Sequence, residues 1–402
     1  MRRMISASGV LGCTFVMLAG LLHFNPFESI CDAMDKLFGA PPKWTQVTNF
    51  YRDPKTQEIT HGDDPTDSLD KLKQYWHDFA GAGRVVFVGN SQMHSISLAS
   101  GELPSTSPEK TYVDLVIDEA QRERPNELLY RLSSSGMSYP EVLWELNYML
   151  DDSDLRPNSV ILQMNYQALW TGGIRDSLLP MLRHSSFRRR IETLAASGRA
   201  DAAAYEDALH RYDRVEVQDK TKHEATRDSG LTAAFNTQVT PGYEMETRVR
   251  DWLNEVVPEQ HRADLQESFD NVLYRGRLYL LHLKPSTARS ISGSRLSAAQ
   301  SAVDSIAALC TANHVRLLLF HAPVNPNVML YRSPEDREAY RQFVAGVASR
   351  YRLPLFDFEN SISAEHWGHL LNGPDPLHMG RAGQQEMAKL VFQAMNSVEV
   401  KN

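Results

Sequence analysis

Short, nearly continuous apolar runs recur along this chain, and most end on small or polar residues. Arg84 to Val88, in RVVFVGNSQMHS, reads as a buried strand because Val and Phe dominate it; the Gly-Asn pair that follows marks a sharp turn. Ser159 to Gln163, in NSVILQMNYQALW, is a second such strand ending near Asn165. Val315 to Pro323, VRLLLFHAP, is a third, with His321 at its end, and LPLFDFE is the last. TYVDLVID and NELLYRL read as two further strands. Elsewhere apolar residues return three and four apart, which predicts helices over Tyr139 to Asp152, Ser297 to His314 and SPEDREAYRQFVAGVASRY. Ser333 and Asp336 have the spacing of a capping box at the start of the last one. SLDKLKQYWHDFAG predicts a short amphipathic helix before the first strand, and SQMHSISLAS a helix start after it. GPDPLHMGRAGQQEMAKLVFQAM reads as a turn into a C-terminal helix. Strand, loop, helix, strand is the rhythm of an α/β domain on a parallel sheet.

That rhythm breaks between 171 and 275, where several segments have helical spacing and no strand is evident. This stretch is expected to be a helical insertion within a domain spanning 82–402. Phe187 with Arg188, Arg189 and Arg190 inside it is either an ordinary solvated helix face or a contact for anionic headgroups or polymer. At the N-terminus, Arg2 and Arg3 precede a run from Met4 to Phe24 whose only possible formal charge is on His23. About twenty helical residues cross a bilayer core. Residues 1–4 are therefore expected as a cytoplasmic tail, 5–24 as a transmembrane anchor and 25–81 as a stalk and lead-in. The basic end stays cytoplasmic, which puts the rest on the periplasmic side of the inner membrane as a single-pass protein. A cleaved signal peptide is the alternative, although no small-x-small site directly follows the run.

A length of 402 residues suits one large α/β domain with insertions, or two domains. Net charge is −8 with 42 Lys and Arg, so bulk basicity does not point to nucleic acid. The three cysteines are too few for a disulfide-dependent fold; Cys31 and Cys310 are left either paired or free. Neither zinc-type ligand spacing nor a glycine-rich phosphate loop is present, so no metal and no cofactor is expected.

Parallel sheets place ligands at the C-terminal ends of their strands. Ser91, Gly136, Asn165 and the Asp375/His378 pair fall at or after such ends. A serine hydroxyl needs a base to become a nucleophile, and histidine suits that role near neutral pH. An aspartate orients the imidazole. Acyl transfer also needs donors for an oxyanion, which the Ser91 and Gly136 amides and the Asn165 side chain can supply. His94, His321, Tyr166 and Trp170 are accessory candidates, each weighed against plain helix, strand-end or core packing.

Ser91 in GNS, Gly136, Asn165 and DPLH resemble the four blocks of the SGNH hydrolase superfamily, from about Arg84 to Met395 with a gap at the insertion. The resemblance implies a flavodoxin-like three-layer domain. It also implies Ser91 as nucleophile, Asp375 and His378 as its partners, and an oxyanion hole from Ser91, Gly136 and Asn165. Two blocks depart from the usual pattern: Asn90 stands for the aspartate of Gly-Asp-Ser, and Gln163-Met164-Asn165-Tyr166 stands for Gly-x-Asn-Asp. With the N-terminal run, these departures look more like the exported acyltransferase branches, the DltD-like D-alanyl transfer proteins and the polysaccharide O-acetyltransferases. That likeness implies acyl transfer to an envelope polysaccharide or glycolipid, with a multi-pass membrane acyltransferase of the MBOAT type as supplier. An exported carbohydrate esterase and a non-catalytic envelope scaffold are the alternatives.

Overall fold

The computed structural model describes residues 44–46, 50–52, 59–61, 65–79, 81–97, 110–134, 136–169, 173–227, 293–326, 328, 334–370 and 373–399. The chain divides into two compact units, Pro42–Asp219 with Pro285–Asn402, and Met1–Pro41 with Lys220–Lys284. The second falls outside the described residues except for the end of one helix. So do the expected anchor at 5–24, Ser333, Trp170 and the insertion segments GYEMETRVRDWLNEVV and QHRADLQESFDNVLY. Among the described residues, no helix is long and apolar enough to cross a membrane.

Three short strands, β1 (Trp44–Gln46), β2 (Phe50–Arg52) and β3 (Ile59–His61), precede helix α1 (Pro65–Asp78). The central strand β4 covers Gly83–Gly89 and is followed by one 3-10 turn, Ser91–Met93, and β5 (Ser95–Ser97). Then come α2 (Tyr112–Glu123), β6 (Glu127–Ser133), α3 (Tyr139–Asp151) and β7 (Ser159–Met164). After β7 the chain turns helical through α4 (Ser185–Ala195) and α5 (Ala202–Arg227). It returns with α6 (Gly293–Ala312), β8 (Arg316–His321), α7 (Pro334–Tyr351) and β9 (Leu355–Asp357). A hairpin of β10 (Trp367–Leu370) and β11 (Gly373–Met379) leads into α8 (Arg381–Glu399).

The main sheet has the order β3-β2-β6-β4-β7-β8-β9. Its last five members run parallel, in register Phe87↔Arg131 and Phe87↔Ile161 around β4 and Met164↔His321 between β7 and β8. Counted along the chain, those five strands have the 2-1-3-4-5 order of a flavodoxin-like sheet, whose strand order reverses between β4 and β7. Side chains alternate cleanly between two cores. Val86 and Val88 of β4 pack with Trp144, Leu146, Ala302 and Val344 from α3, α6 and α7. Val85 and Phe87 face Val116, Ile117, Met387 and Val391 from α2 and α8. Burial on both faces is why the strands read as continuous apolar runs.

Four local expectations are corrected. TYVDLVID is not a strand: Tyr112, Val113, Val116, Ile117 and Ala120 form one buried helical stripe, and Thr111 with Asp114 closes a capping box. Ser91 does not open a helix, because the turn ends after Met93 and Ser95–Ser97 pairs antiparallel with β1. GPDPLHM is a strand, not a turn, because it pairs with β10. Phe187 does not face a membrane or polymer: it is fully buried, edge-on to Trp144 and Tyr148. Arg188 pairs with Glu192 and Asp213, and Arg190 with Asp151, so two of the three arginine charges are compensated locally. Cys310 is a free thiol inside the core, and burial pushes its pKa up to about 12; Cys31 lies outside the described residues.

Candidate active site

The site lies at the C-terminal edge of the sheet, where the order reverses. Directly after β4, Asn90 caps the 3-10 turn, its Oδ1 accepting the Gln92 amide at 3.2 Å. Ser91 is the first residue of that turn and is partly exposed. At the other end of the domain sequence, the Asp375 carboxylate organises a tight turn by accepting the backbone N–H of Leu377 at 2.8 Å and of His378 at 3.0 Å. Asn325, in the loop after β8, donates to the Asp375 carbonyl at 2.9 Å and ties that turn to the sheet.

The two ends meet. His378 Nε2 lies 3.0 Å from Ser91 Oγ, and His378 Nδ1 lies 3.2 and 3.3 Å from the two Asp375 oxygens. Asp375 is 1 % exposed and His378 8 %, so the pair is held in a site largely closed to water. An ionised carboxylate only accepts, which puts the ring proton on Nδ1 and leaves the Nε2 lone pair for the serine hydroxyl. A hydroxyl, an imidazole and a carboxylate are thus in hydrogen-bond reach, the groups that acyl transfer uses as nucleophile, base and orienting acid.

The candidate oxyanion donors occupy neighbouring strand ends. Gly136 follows β6 with φ 67°, a left-handed conformation that a glycine adopts without strain. Its loop is pinned by the Ser138–Glu141 capping box and by Arg175, which grips Glu141 through Nε at 2.8 Å and a second nitrogen at 2.9 Å. Asn165 follows β7 and is 4 % exposed. Its backbone N–H donates to Tyr139 Oη at 3.0 Å, and Tyr139 donates back to the Asn165 carbonyl at 3.1 Å. The Asn165 side-chain nitrogen donates to Asn90 Oδ1 and Gln92 Oε1, each at 3.2 Å.

The accessory candidates fall beside this constellation. His94 is fully buried, its Nδ1 3.1 Å from Ser133 Oγ. Burial, then the charges of Arg131, His378 and Arg175, lower its pKa from 6.5 to about 3. Because folding depresses this value, the unfolded chain takes up a proton at His94 before the folded one does, so its contribution is intact above about pH 6.5 and lost as pH falls. Wild type should therefore lose about 2 kcal/mol more stability between pH 7 and pH 5 than His94→Gln, measured by urea unfolding at the two pH values. An equal loss in both proteins would refute a neutral buried imidazole. His321 ends β8 edge-on to Tyr340, its Nδ1 without a hydrogen-bond partner among the described residues, and burial lowers its pKa. Tyr166 packs against Tyr340 with ring centroids 4.5 Å apart and lies 3.5 Å from Glu359, so it is committed to packing at the rim.

Residues the sequence reading passed over complete the site. Arg131 of β6 is fully buried; one of its guanidinium nitrogens donates to the Met93 carbonyl and to Thr111 Oγ1, both at 2.9 Å, and faces Asp114 at 3.3 Å. From the next strand it thus holds the end of the turn that carries Ser91. Burial pushes its pKa down to about 10, against the pull of Asp114. Gln384 of α8 bridges the Tyr112 amide at 2.7 Å and the Ser95 carbonyl at 3.1 Å. A charged or amide residue inside an apolar strand, as in LLYRLS and VILQM, was the available signal. Among the described residues, no cluster of three His, Cys, Asp or Glu side chains is placed to hold a metal ion.

No family model and no curated protein sequence matches the chain. Solved structures with a similar fold include the acetylxylan esterase Axe2 of Geobacillus stearothermophilus, at 10 % identity and TM-score 0.36, covering 78 % of this chain and 94 % of that one. The psychrotrophic esterase EstA of Pseudoalteromonas sp. aligns at 11 % identity and TM-score 0.37, over 80 % of this chain and 100 % of its own. A GDSL-like lipase of Parabacteroides merdae aligns at 8 % and 0.35, over 78 % and 95 %. Likenesses at these scores assign neither activity nor substrate, and the chemistry open to this chain is read from the contact of Ser91, His378 and Asp375.

Proposed function

We propose that this protein is a serine-dependent enzyme of SGNH type that carries an acyl group as an ester on Ser91 and passes it to a hydroxyl of an envelope polysaccharide or glycolipid. The observation that carries the acyl-ester chemistry is the 3.0 Å contact of Ser91 Oγ with His378 Nε2, backed by Asp375. As Ser91 Oγ attacks the acyl carbonyl, His378 Nε2 takes its proton, and the Ser91 and Gly136 amides, joined by the Asn165 side chain once it releases Asn90 Oδ1, donate to the developing oxyanion. Collapse breaks the bond to the leaving group, which takes the proton from His378. The acceptor hydroxyl then attacks the acyl-serine, gives its proton to His378, and Ser91 leaves with that proton restored.

Transfer in preference to hydrolysis is supported by the charge-free N-terminal run behind Arg2 and Arg3, which suits a protein held at the outer face of the inner membrane. A multi-pass membrane acyltransferase is then the supplier, with acetyl or D-alanyl as the cargo. Intact-mass analysis of the full-length chain after incubation with its native membranes tests this. An adduct on Ser91 is expected in the wild type and none in Ser91→Ala, and its mass increment names the acyl group. Rapid release of free acid from an acylated glycan, with no transfer to an acceptor, would instead make the protein an esterase.

A further inference from the structure

The residue after the nucleophile joins parts of the site that the chain supplies from distant places. Gln92 is 1 % exposed, and its amide is completely used. Its Nε2 donates to the Pro323 carbonyl at 2.9 Å and to the Leu377 carbonyl at 2.6 Å. Its Oε1 accepts from Gln163 Nε2 at 3.0 Å and from Asn165 Nδ2 at 3.2 Å. Two donors and two acceptors are all that a primary amide offers.

The four partners are not equivalent. Leu377 directly precedes His378, so the shortest of these bonds fixes the backbone that presents the base. Pro323 belongs to the loop after β8, the same loop whose Asn325 holds the Asp375 carbonyl. Asn165 is one of the three candidate oxyanion donors. Gln163 is itself anchored, accepting the Asn90 amide at 3.3 Å and donating to Tyr112 Oη at 3.3 Å. Room for this network depends on bare backbone at Gly89, where a Cβ would come within 2.6 Å of Gln163 Oε1.

We infer that Gln92 is the positioning residue of this site, tethering the His378 turn and the Asn165 amide to the turn that carries Ser91. The inference rests on the acyl-ester reading of Ser91 above. Every bond in the tether joins neutral groups, so it sets geometry without adding charge beside the imidazole. No other side chain of this size supplies the same pattern: Glu keeps the acceptors and loses both donors, and Met keeps the length and loses everything. A catalytic contact displaced by about 1 Å can cost on the order of a hundredfold in rate.

The test uses the full-length chain, with Gln92→Met, Gln92→Glu and Ser91→Ala, at a temperature at least about fifteen degrees below each variant's thermal midpoint. Two readouts are taken: the rate constant for modification of Ser91 by a p-nitrophenyl alkylphosphonate, and kcat and KM for p-nitrophenyl acetate. Both Gln92 variants are expected to react with the phosphonate about 10- to 100-fold more slowly. Their kcat should fall by a similar factor with KM within about twofold, whereas a smaller folded fraction would lower the amount of Ser91 modified and leave the rate constant of the folded protein unchanged. Either variant, folded and reacting at the wild-type rate, overturns the tether and leaves the chemistry of Ser91 standing. If Ser91→Ala takes up phosphonate at the same position as wild type, or wild type takes up none, both readings fall together.

Discussion

Replacing His378 by alanine is expected to lower turnover of an activated ester by about four to six orders of magnitude. Ser91 Oγ has the His378 imidazole at 3.0 Å, and at neutral pH a serine without such an acceptor stays protonated. Ser91→Ala should fall as far, and the double variant no further, because the two side chains act in one step. Asp375→Asn should cost on the order of 10⁴, because an amide donor facing Nδ1 favours the tautomer whose Nε2 carries the proton. Steady-state hydrolysis of p-nitrophenyl acetate by the full-length chain measures all four. A His378→Ala protein that retains a tenth of wild-type turnover would exclude this histidine as the base.

The largest expected effect on stability is at Arg131, far from the exposed surface. Arg131→Met removes a fully buried charge and leaves the Asp114 carboxylate, 3 % exposed, without its cation. Breaking one side of such a pair costs about 3–5 kcal/mol, because the remaining charge stays in low dielectric. The Met93 carbonyl and Thr111 Oγ1 lose their donor as well. Urea unfolding should show that loss in Arg131→Met, and much of it should return when Asp114→Leu is added, since two apolar residues replace the pair. A single variant as stable as wild type would mean that Asp114 finds compensation elsewhere. Because Met93 closes the turn that opens at Ser91, ester turnover should drop with the stability.

The chain order of the site was readable because each of its main residues follows a recognisable element. RVVFV and SVILQ are apolar on both faces, and the residues after them, Asn90-Ser91 and Asn165, sit where strand-end ligands do. DPLH was readable as an Asp-His turn but not as a strand. Its pairing partner β10 is local in sequence, yet WGHL carries no alternation that marks a strand. TYVDLVID misled because its apolar residues are close enough together to suit either period. The capping box at Thr111 and Asp114, and packing against α8, decide for a helix. Phe187 shows the same limit, since an aromatic beside three arginines looks exposed until Trp144 and Tyr148 are found around it.

By itself, the sequence determined the parallel rhythm of strands and helices, the candidate nucleophile, base and acid, and the order in which they arrive, because apolar periodicity and turn residues are local properties of the chain. Tertiary structure alone decided that Ser91 and His378 touch, that Asn90, Gln92, Gln163 and Asn165 share one amide network, and that Arg131 is spent on holding the turn that carries Ser91. Hydrogen bonds between residues tens to hundreds of positions apart depend on strand order and register. The energies that set those come from burying both faces of the sheet at once, which no short window of sequence contains.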